Sequence, residues 1–125
     1  MSDYQRRIRW MHEHFGIDRS VVDTFSPEEK RFRIAAMREE IDEFEAATDH
    51  HDQLDALVDL IVFAFGTVER AGYAEVFGEA FTRVMDSNMT KTVGPNQKRG
   101  SFALDLRKPD DFKPANLSDL VENMK

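Results

Sequence analysis

Apolar residues recur at helical spacing in four stretches of the chain, which predicts four helices. Gly16 is expected to end the first helix, and Ser26-Pro27 provides a cap and a favoured first residue for the second. The predicted helices span residues 3–15, 27–48, 50–70 and 73–88. The stripes expected to form their core faces contain Ile8, Met11, Phe15, Ile34, Met37, Ile41, Phe44, Phe77, Phe81 and Val84.

The third predicted helix is apolar on nearly every side between Leu54 and Phe65, which is typical of a central helix that is buried all round. Asp59 lies within this apolar run. A buried carboxylate without a partner is strongly unfavourable, or it takes up a proton. We therefore expect Asp59 to have a cation, a hydrogen-bond network or a raised pKa.

The C-terminal part of the chain differs from the helical part. Residues 94–100 form a basic stretch rich in turn-forming residues, which predicts a loop. A short strand is predicted over residues 101–106 and a last turn of helix over residues 117–124. We accordingly expect a helical domain over residues 1–92 and a tail over residues 93–125 that packs on this domain or on a neighbouring subunit.

Composition excludes several classes of protein. The 125 residues include no cysteine, so disulfides, thiolate nucleophiles and zinc–thiolate sites are ruled out. This fits a reducing compartment, and we expect a cytoplasmic location. The longest apolar run, residues 60–65, is too short to cross a bilayer, so no membrane partner is expected. A pI near 5.0 argues against a non-specific nucleic-acid binder.

Negative charge is concentrated in one stretch of the chain. Residues 39–59 carry nine carboxylates and no lysine or arginine, whereas the whole chain has a net charge of only −7. A cluster of one sign either repels itself in water or is neutralised, and a divalent cation is the simplest neutralising group. Three of its acids, Asp42, Glu45 and Asp49, are predicted to face solvent.

The spacing of the remaining acids favours a metal site. Glu40 and Glu43 are three residues apart on one helix, and Asp55 and Asp59 are four apart on the next, so each pair shares a helix face. Mg²⁺ prefers oxygen ligands of this kind. Two simpler interpretations stay open, namely a solvated face for the first pair and an ordinary helix start for Asp52 and Asp55.

Three segments resemble the all-α nucleoside triphosphate pyrophosphohydrolases, the MazG-like group that includes phosphoribosyl-ATP pyrophosphatase and the dimeric dUTPases. Residues 39–43 (EEIDE) resemble the E-E-x-x-E metal motif of this group. Residues 52–67 (DQLDALVDLIVFAFGT) resemble its second acidic helix, and residues 84–91 (VMDSNMTK) resemble its S-N-M-[ST]-K segment. The resemblance covers about residues 5–92.

This resemblance implies a four-helix unit assembled as a homodimer or homotetramer. It also implies a Mg²⁺-dependent hydrolase, with Mn²⁺ as a substitute, in which water attacks between the α and β phosphates of a (d)NTP to give a (d)NMP and pyrophosphate. The implied metal ligands are Glu40, Glu43, Asp55 and Asp59. Glu39 and Glu40 are the expected catalytic carboxylates, and Glu39 either binds metal or orients the water.

Substrate contacts come from other parts of the chain. The resemblance implies that Lys91 binds phosphate with Asn88 beside it, and the basic loop adds Lys98 and Arg99 as candidates. His14 lies on an aromatic stripe and is a candidate for stacking on the base, although such a stripe more often belongs to a core.

The sequence also departs from the family pattern. Met85 stands where a His often precedes Ser-Asn, and Asp52 fits either as a ligand or as a group behind the ligands. The number of metal ions and the preferred base stay open. The alternatives are an enzyme of the same fold that acts on phosphoribosyl-ATP or dUTP, and a non-catalytic module whose acidic helices bind a basic partner.

Overall fold

The computed structural model describes residues 1–17, 25–122 and 124, and it is mainly helical. Its long helices are α1 (Asp3–His14), α2 (Pro27–Ala46), α3 (His50–Arg70) and α4 (Ala74–Asn88). Its short elements are β1 (Thr92–Val93), a 3-10 helix (Gln97–Arg99), β2 (Leu106–Arg107) and α5 (Ser118–Val121). The predicted all-α fold is confirmed, and the four predicted helices lie close to their expected bounds.

Local capping signals explain why three of these helices begin where they do. The Ser2 hydroxyl accepts a hydrogen bond from the Gln5 backbone N–H at 3.2 Å, and the Gln5 side chain accepts one from the Ser2 N–H at 2.9 Å. Ser26 caps α2 in the predicted way, and the Asp49 carboxylate caps α3. Each such cap contributes about 1 kcal/mol.

The helices α2 and α3 form an antiparallel hairpin. Near the open end, the Arg70 guanidinium donates to the Glu29 carboxylate at 2.7 and 2.8 Å. Further along, the Arg33 guanidinium lies so close to Gly66 that a Cβ there would be 3.1 Å from Arg33 Nη1. Residues later in α2 therefore lie opposite residues earlier in α3. This antiparallel register determines which acidic residues of the two helices lie close together.

The face of α2 that packs on α3 is not the predicted apolar stripe. The buried residues of α2 are Arg33, Ala36 and Glu40, which recur at helical spacing. Of the predicted stripe, Ile34, Ile41 and Phe44 are exposed in the single chain. The prediction of the core face is therefore wrong for these residues, because two adjacent stripes have the same spacing and α3 covers the one that carries the small and charged side chains.

The prediction that α3 is buried on every side is also wrong for the single chain. Ala56 is only 2% exposed, and Gly66 and Glu69 are buried. Four large apolar residues of the same helix are nevertheless exposed, namely Leu54, Leu57, Val58 and Ile61. One face of α3 therefore packs within the chain, while a second apolar face does not.

The first helix docks on α3 through polar contacts as much as apolar ones. Ile8 is buried as predicted, whereas Met11 and Phe15 are exposed, so the predicted core stripe of α1 is correct at only one of its three positions. The Arg9 guanidinium donates to the buried Glu69 carboxylate at 2.8 Å. This ion pair fixes α1 against the C-terminal half of α3.

Gly66 lets two buried polar side chains, those of His12 and Arg33, approach the backbone of α3 closely. A Cβ at this position would be 3.3 Å from His12 Nε2 and 3.1 Å from Arg33 Nη1. Burial lowers the pKa of His12, and the nearby Arg33 lowers it further. His12 is therefore neutral at pH 7, and its Nδ1 atom is buried without a hydrogen-bond partner among the described residues.

The start of α4 is tied to the rest of the first unit. The Gln5 amide donates to the Ala74 carbonyl at 2.9 Å, and Phe77 packs edge-on against Phe65 with ring centroids 5.3 Å apart. The other predicted core residues of α4, Phe81 and Val84, are exposed, so that part of the prediction is wrong.

Contacts divide the chain into two compact units, Met1–Phe77 with Met124–Lys125 and Gly78–Asn123. In the second unit, β1 pairs antiparallel with β2, and Arg83 forms an ion pair with Asp119. The strand predicted over residues 101–106 is wrong, since only Leu106–Arg107 is a strand in this region. The predicted last helix is present in shortened form as α5, and its predicted extension at Asn123 lies outside the described residues.

Among the described residues, no helix has both the length and the apolar character needed to cross a membrane.

Candidate metal centre

Three carboxyl groups meet where α2 faces α3. Glu40 and Glu43 lie one turn apart on α2, and Asp59 lies opposite them on α3. Each offers one carboxylate oxygen, and the three oxygens lie within 4.8 Å of one another. The antiparallel register of the hairpin creates this group, because Glu40 belongs to the face of α2 that is covered by α3. Glu40 is 8% exposed, Asp59 is half-buried and Glu43 is exposed.

Two of the three carboxyl groups, Glu40 and Asp59, have raised pKa values. Burial raises the pKa of Glu40 to about 7, and the neighbouring Glu43 and Asp59 add to this shift. Burial also raises the pKa of Asp59, with contributions from the negative charges of Asp55 and Glu43. The ionised cluster is thus unfavourable by itself at neutral pH.

A divalent cation fits this arrangement. The Glu40 Oε2 atom is buried and has no hydrogen-bond partner among the described residues. Buried polar atoms are normally satisfied, so an unpartnered carboxylate oxygen beside two other carboxylates is a position that a cation would satisfy. An all-oxygen donor set of this kind suits Mg²⁺ or Mn²⁺ rather than a soft metal.

Two of the predicted carboxylates lie outside the three-residue group. Asp55 is exposed, one turn before Asp59 on α3, and is near enough to raise the pKa of Asp59. Glu39 is exposed and lines a shallow groove of α2 that also contains Arg38 and Asp42. The ligand role of Asp55 and the catalytic role of Glu39 therefore stay predictions.

Asp52 belongs to a different surface group. Its carboxylate lies 3.1 Å from His51 Nδ1, and together with Asp49 these residues form an exposed group at the start of α3. Asp52 raises the pKa of His51 through this contact. Asp49 accepts a hydrogen bond from the Asp52 backbone N–H, which is the ordinary role of a helix cap.

The predicted phosphate-binding residues lie in the second unit. Lys91, Lys98 and Arg99 line one cavity of about 610 Å³. Asn88 ends α4, and its carbonyl accepts a hydrogen bond from the Lys91 N–H at 3.0 Å. The structure thus groups three of the predicted cations within this unit.

Two further cations line the same cavity, and sequence reasoning missed them. They are Arg107 and Lys108, which follow Lys98 and Arg99 only after a gap of several residues. The pairing of β2 with β1 brings them back beside the loop. Only the prediction of a hairpin over this region would have placed Arg107 and Lys108 beside Lys98 and Arg99 from the sequence.

The remaining predicted substrate contact is His14. It is exposed in the first unit, and its ring meets the Phe15 ring edge-on at a centroid distance of 4.8 Å. An exposed aromatic pair is available to a ligand, but no feature of the described residues assigns one to it. Base stacking by His14 stays a prediction.

A family model described as phosphoribosyl-ATP pyrophosphohydrolase matches residues 9–77. The chain belongs to this family. The matched stretch is more than half of the chain and contains α2, α3 and all three clustered carboxyl groups. The phosphoribosyl-ATP pyrophosphohydrolase family is a member of the all-α MazG-like superfamily, so the resemblance inferred from the motifs is confirmed.

Membership of the phosphoribosyl-ATP pyrophosphohydrolase family makes the chain a hydrolase of phosphoanhydride bonds that acts on nucleotide-like substrates. No curated protein matches the chain. The family match ends before Asn88 and Lys91, so it bears on the acidic residues and not on the basic ones.

Proposed function

We propose that the chain is a Mg²⁺-dependent nucleoside triphosphate pyrophosphohydrolase that converts a (d)NTP to a (d)NMP and pyrophosphate. The observation that carries this proposal is the group formed by Glu40, Glu43 and Asp59, with a buried and unpartnered oxygen on Glu40. Membership of a pyrophosphohydrolase family makes phosphoanhydride hydrolysis the chemistry that this group would serve.

Glu40, Glu43 and Asp59 would hold the metal, and Asp55 would join them from one turn away. When bound, Mg²⁺ would neutralise phosphate charge and increase the acidity of the attacking water, and Mn²⁺ would substitute for it. In this proposal, Glu39 is the carboxylate that orients the attacking water. Glu40 would both bind the metal and take part in catalysis.

The reaction needs a proton acceptor and a stabilised leaving group. Water adds to phosphorus, the P–O bond between the α and β phosphates breaks, and pyrophosphate leaves with the bonding electron pair. The proton of the water passes to a carboxylate, for which Glu39 and Glu40 are the candidates. Positioning and charge neutralisation, rather than covalent catalysis, would supply most of the acceleration.

Substrate would be held by the basic residues and by the first helix. In this proposal Lys91 and Asn88 contact phosphate, Lys98 and Arg99 extend the phosphate site, and His14 stacks on the base. The proposal keeps the division into a catalytic domain over residues 1–92 and a tail over residues 93–125. It also includes a cytoplasmic location, which is supported by the absence of cysteine.

We further propose that the active form is a homodimer or homotetramer. The support is the second apolar face of α3, where Leu54, Leu57, Val58 and Ile61 are exposed at helical spacing, and Ile41 and Phe44 of α2 are exposed as well. Contiguous exposed apolar patches of this kind usually mark interaction surfaces. A second copy of the chain would cover this face and enclose the neighbouring carboxyl groups.

Phosphoribosyl-ATP is the second candidate substrate, and the description of the matching family favours it. A panel of dNTPs, NTPs, dUTP and phosphoribosyl-ATP, assayed with Mg²⁺ for pyrophosphate release, separates these possibilities. Turnover of several (d)NTPs with little activity on phosphoribosyl-ATP supports the proposal. Turnover of phosphoribosyl-ATP or dUTP alone would replace the proposed substrate.

A non-catalytic acidic module is the remaining alternative. A true metal site is stabilised by millimolar Mg²⁺ through mass action, so the melting temperature should rise with Mg²⁺. Failure to hydrolyse any nucleotide in the panel, together with an unchanged melting temperature, would leave the acidic module as the better interpretation.

A further inference from the structure

We propose that the cavity of the second unit is a binding site for an anion that carries two or three linked phosphates, an inference that rests on the proposed function because Lys91, Lys98 and Arg99 belong to the phosphate site proposed above. Its lining includes five cationic residues and no acidic one, and its volume is about 610 Å³. The five cations, here called the basic pocket, are Lys91, Lys98, Arg99, Arg107 and Lys108.

The basic pocket is assembled by the local fold of one segment. Lys91 precedes β1, Lys98 and Arg99 belong to the 3-10 helix, and Arg107 lies in β2 directly opposite Thr92. Residues 91–108 contain five basic residues and one acid, in a chain whose net charge is −7. Like charges held this close repel one another, so the arrangement favours an anionic ligand.

Asp105, the one acid of this segment, forms an ion pair with only one of the five cations, Arg99, although the charge of Lys91 also helps to lower the pKa of Asp105. The Arg99 guanidinium donates to the Asp105 carboxylate at 2.6 and 2.9 Å, and this pairing lowers the pKa of Asp105. Lys91, Lys98, Arg107 and Lys108 form no ion pair within the described parts of the chain. Arg99 thus stabilises the loop, and the other four charges are available to a ligand.

Contacts other than ion pairs position these cations. The ammonium groups of Lys91 and Lys108 lie 5.4 and 5.2 Å from the centroid of the same Phe112 ring. The Arg107 side chain lies across Gly94, where a Cβ would be only 2.7 Å from Arg107 Cδ. A side chain at residue 94 would therefore force the Arg107 side chain to shift.

The shape of the site favours a small polyphosphate over nucleic acid or an acidic protein. Ligand cavities typically have volumes of about 300 to 1,000 Å³, which includes the volume found here. Lysine and arginine bind phosphate oxygens through strong, charge-assisted hydrogen bonds, and several such contacts converge in one concavity here. A nucleic acid would instead require a basic surface that follows its backbone.

Two sources could supply this chemistry, namely the phosphate chain of a nucleotide and inorganic polyphosphate. Isothermal titration of the full chain with inorganic tripolyphosphate, in EDTA and at fixed ionic strength, tests the site without any metal. We expect Lys98→Ala and Arg107→Ala each to raise the dissociation constant about tenfold, because each removes a charge-assisted contact. Lys113→Ala is the matched control, since Lys113 is exposed outside the pocket, and it should change binding by less than about twofold.

Further titrations distinguish the sources and separate this inference from the proposed function. A nucleoside triphosphate that binds as tightly as tripolyphosphate identifies the nucleotide as the source, whereas much weaker binding identifies inorganic polyphosphate. Glu40→Gln should bind tripolyphosphate like the wild type even if it hydrolyses nothing, because Glu40 belongs to the acidic group.

Three results would overturn the inference. The first is unchanged binding of tripolyphosphate in Lys98→Ala, which alters an exposed side chain and does not depend on whether Arg107→Ala folds. The second is an equal loss of affinity in the Lys113→Ala control. The third is tighter binding of a single-stranded oligonucleotide than of tripolyphosphate, which would assign the pocket to nucleic acid.

Discussion

Glu40 of α2 and Asp59 of α3 lie opposite one another in the antiparallel hairpin, and with Glu43 they bring three carboxylate oxygens within 4.8 Å. Burial and the negative neighbours raise the pKa of Glu40 to about 7, so ionisation of Glu40 is unfavourable in the metal-free site. Substitutions at Glu40 and Asp59 should therefore change both the stability and the activity of the protein.

Removing one charge from this group should abolish most of the activity. We expect Glu40→Gln and Asp59→Asn each to lower kcat/KM for pyrophosphate release at least about a hundredfold, because each removes a proposed metal ligand. Glu45→Gln is the control, since Glu45 is exposed on the other side of α2. Wild-type turnover in either site variant would contradict the proposed role of the group.

The same Glu40→Gln substitution should stabilise the metal-free protein. A carboxyl group with a raised pKa contributes its stability below the ordinary value of 4.5 and loses it as the pH rises through about 7. His12 has a lowered pKa and therefore acts with the opposite sign in the overlapping range, so wild type and variant must be compared at each pH. In EDTA, the melting temperature of the variant should exceed that of the wild type by more at about pH 8 than at about pH 5.

Saturating Mg²⁺ should reverse this order. The wild type should gain melting temperature by mass action and Glu40→Gln should gain little. An equal response of both proteins to Mg²⁺ would mean that the ion binds elsewhere.

Two glycine substitutions separate backbone effects from packing. Gly78→Ala in α4 meets nothing within 4 Å and should stabilise the protein by about 0.5 to 1 kcal/mol through helix propensity. Gly66→Ala gains the same propensity but crowds Arg33 and His12 at 3.1 and 3.3 Å. Chemical denaturation should place Gly66→Ala below Gly78→Ala by about 1 to 3 kcal/mol. Equal stability would mean that these side chains move aside without loss.

The exposed apolar face of α3 should mediate self-association. Ile61 is 53% exposed in the single chain, and Ile61→Glu would place a charge in the proposed interface. Light scattering should give a wild-type mass of at least twice the 14.5 kDa chain and a smaller mass for Ile61→Glu. Thr82→Glu makes the same charge change at an exposed position of α4 and should keep the wild-type mass. A monomeric wild type would contradict the proposed assembly.

The contact between Arg9 and Glu69 should contribute far more than a surface ion pair. The Glu69 side chain is 5% exposed, so Arg9→Met leaves a buried carboxylate without its partner. We expect a loss of about 2 to 3 kcal/mol in the free energy of unfolding, measured in urea at constant protein concentration. Arg6 pairs with the exposed Asp3, and Arg6→Met should change stability by less than about 0.5 kcal/mol.

Much of the fold could be predicted because its signals are local. Ser26-Pro27 marks the start of α2, and apolar residues at helical spacing mark each long helix. The core faces were predicted less well. Ile41 and Phe44 form a regular stripe but are exposed in the single chain, since periodicity identifies an apolar face without naming the surface that covers it.

The acidic motifs were enough to predict the family and the kind of chemistry, because residues close in sequence keep a fixed spacing on a helix. Only the tertiary structure decided that, of the predicted carboxylates, Glu40, Glu43 and Asp59 form the close group without Glu39 and Asp55. It also decided that Arg107 and Lys108 line the same cavity as Lys91. These pairings depend on the register of α2 against α3 and of β1 against β2. Such a register is set by long-range packing, which the spacing of residues along the chain does not encode.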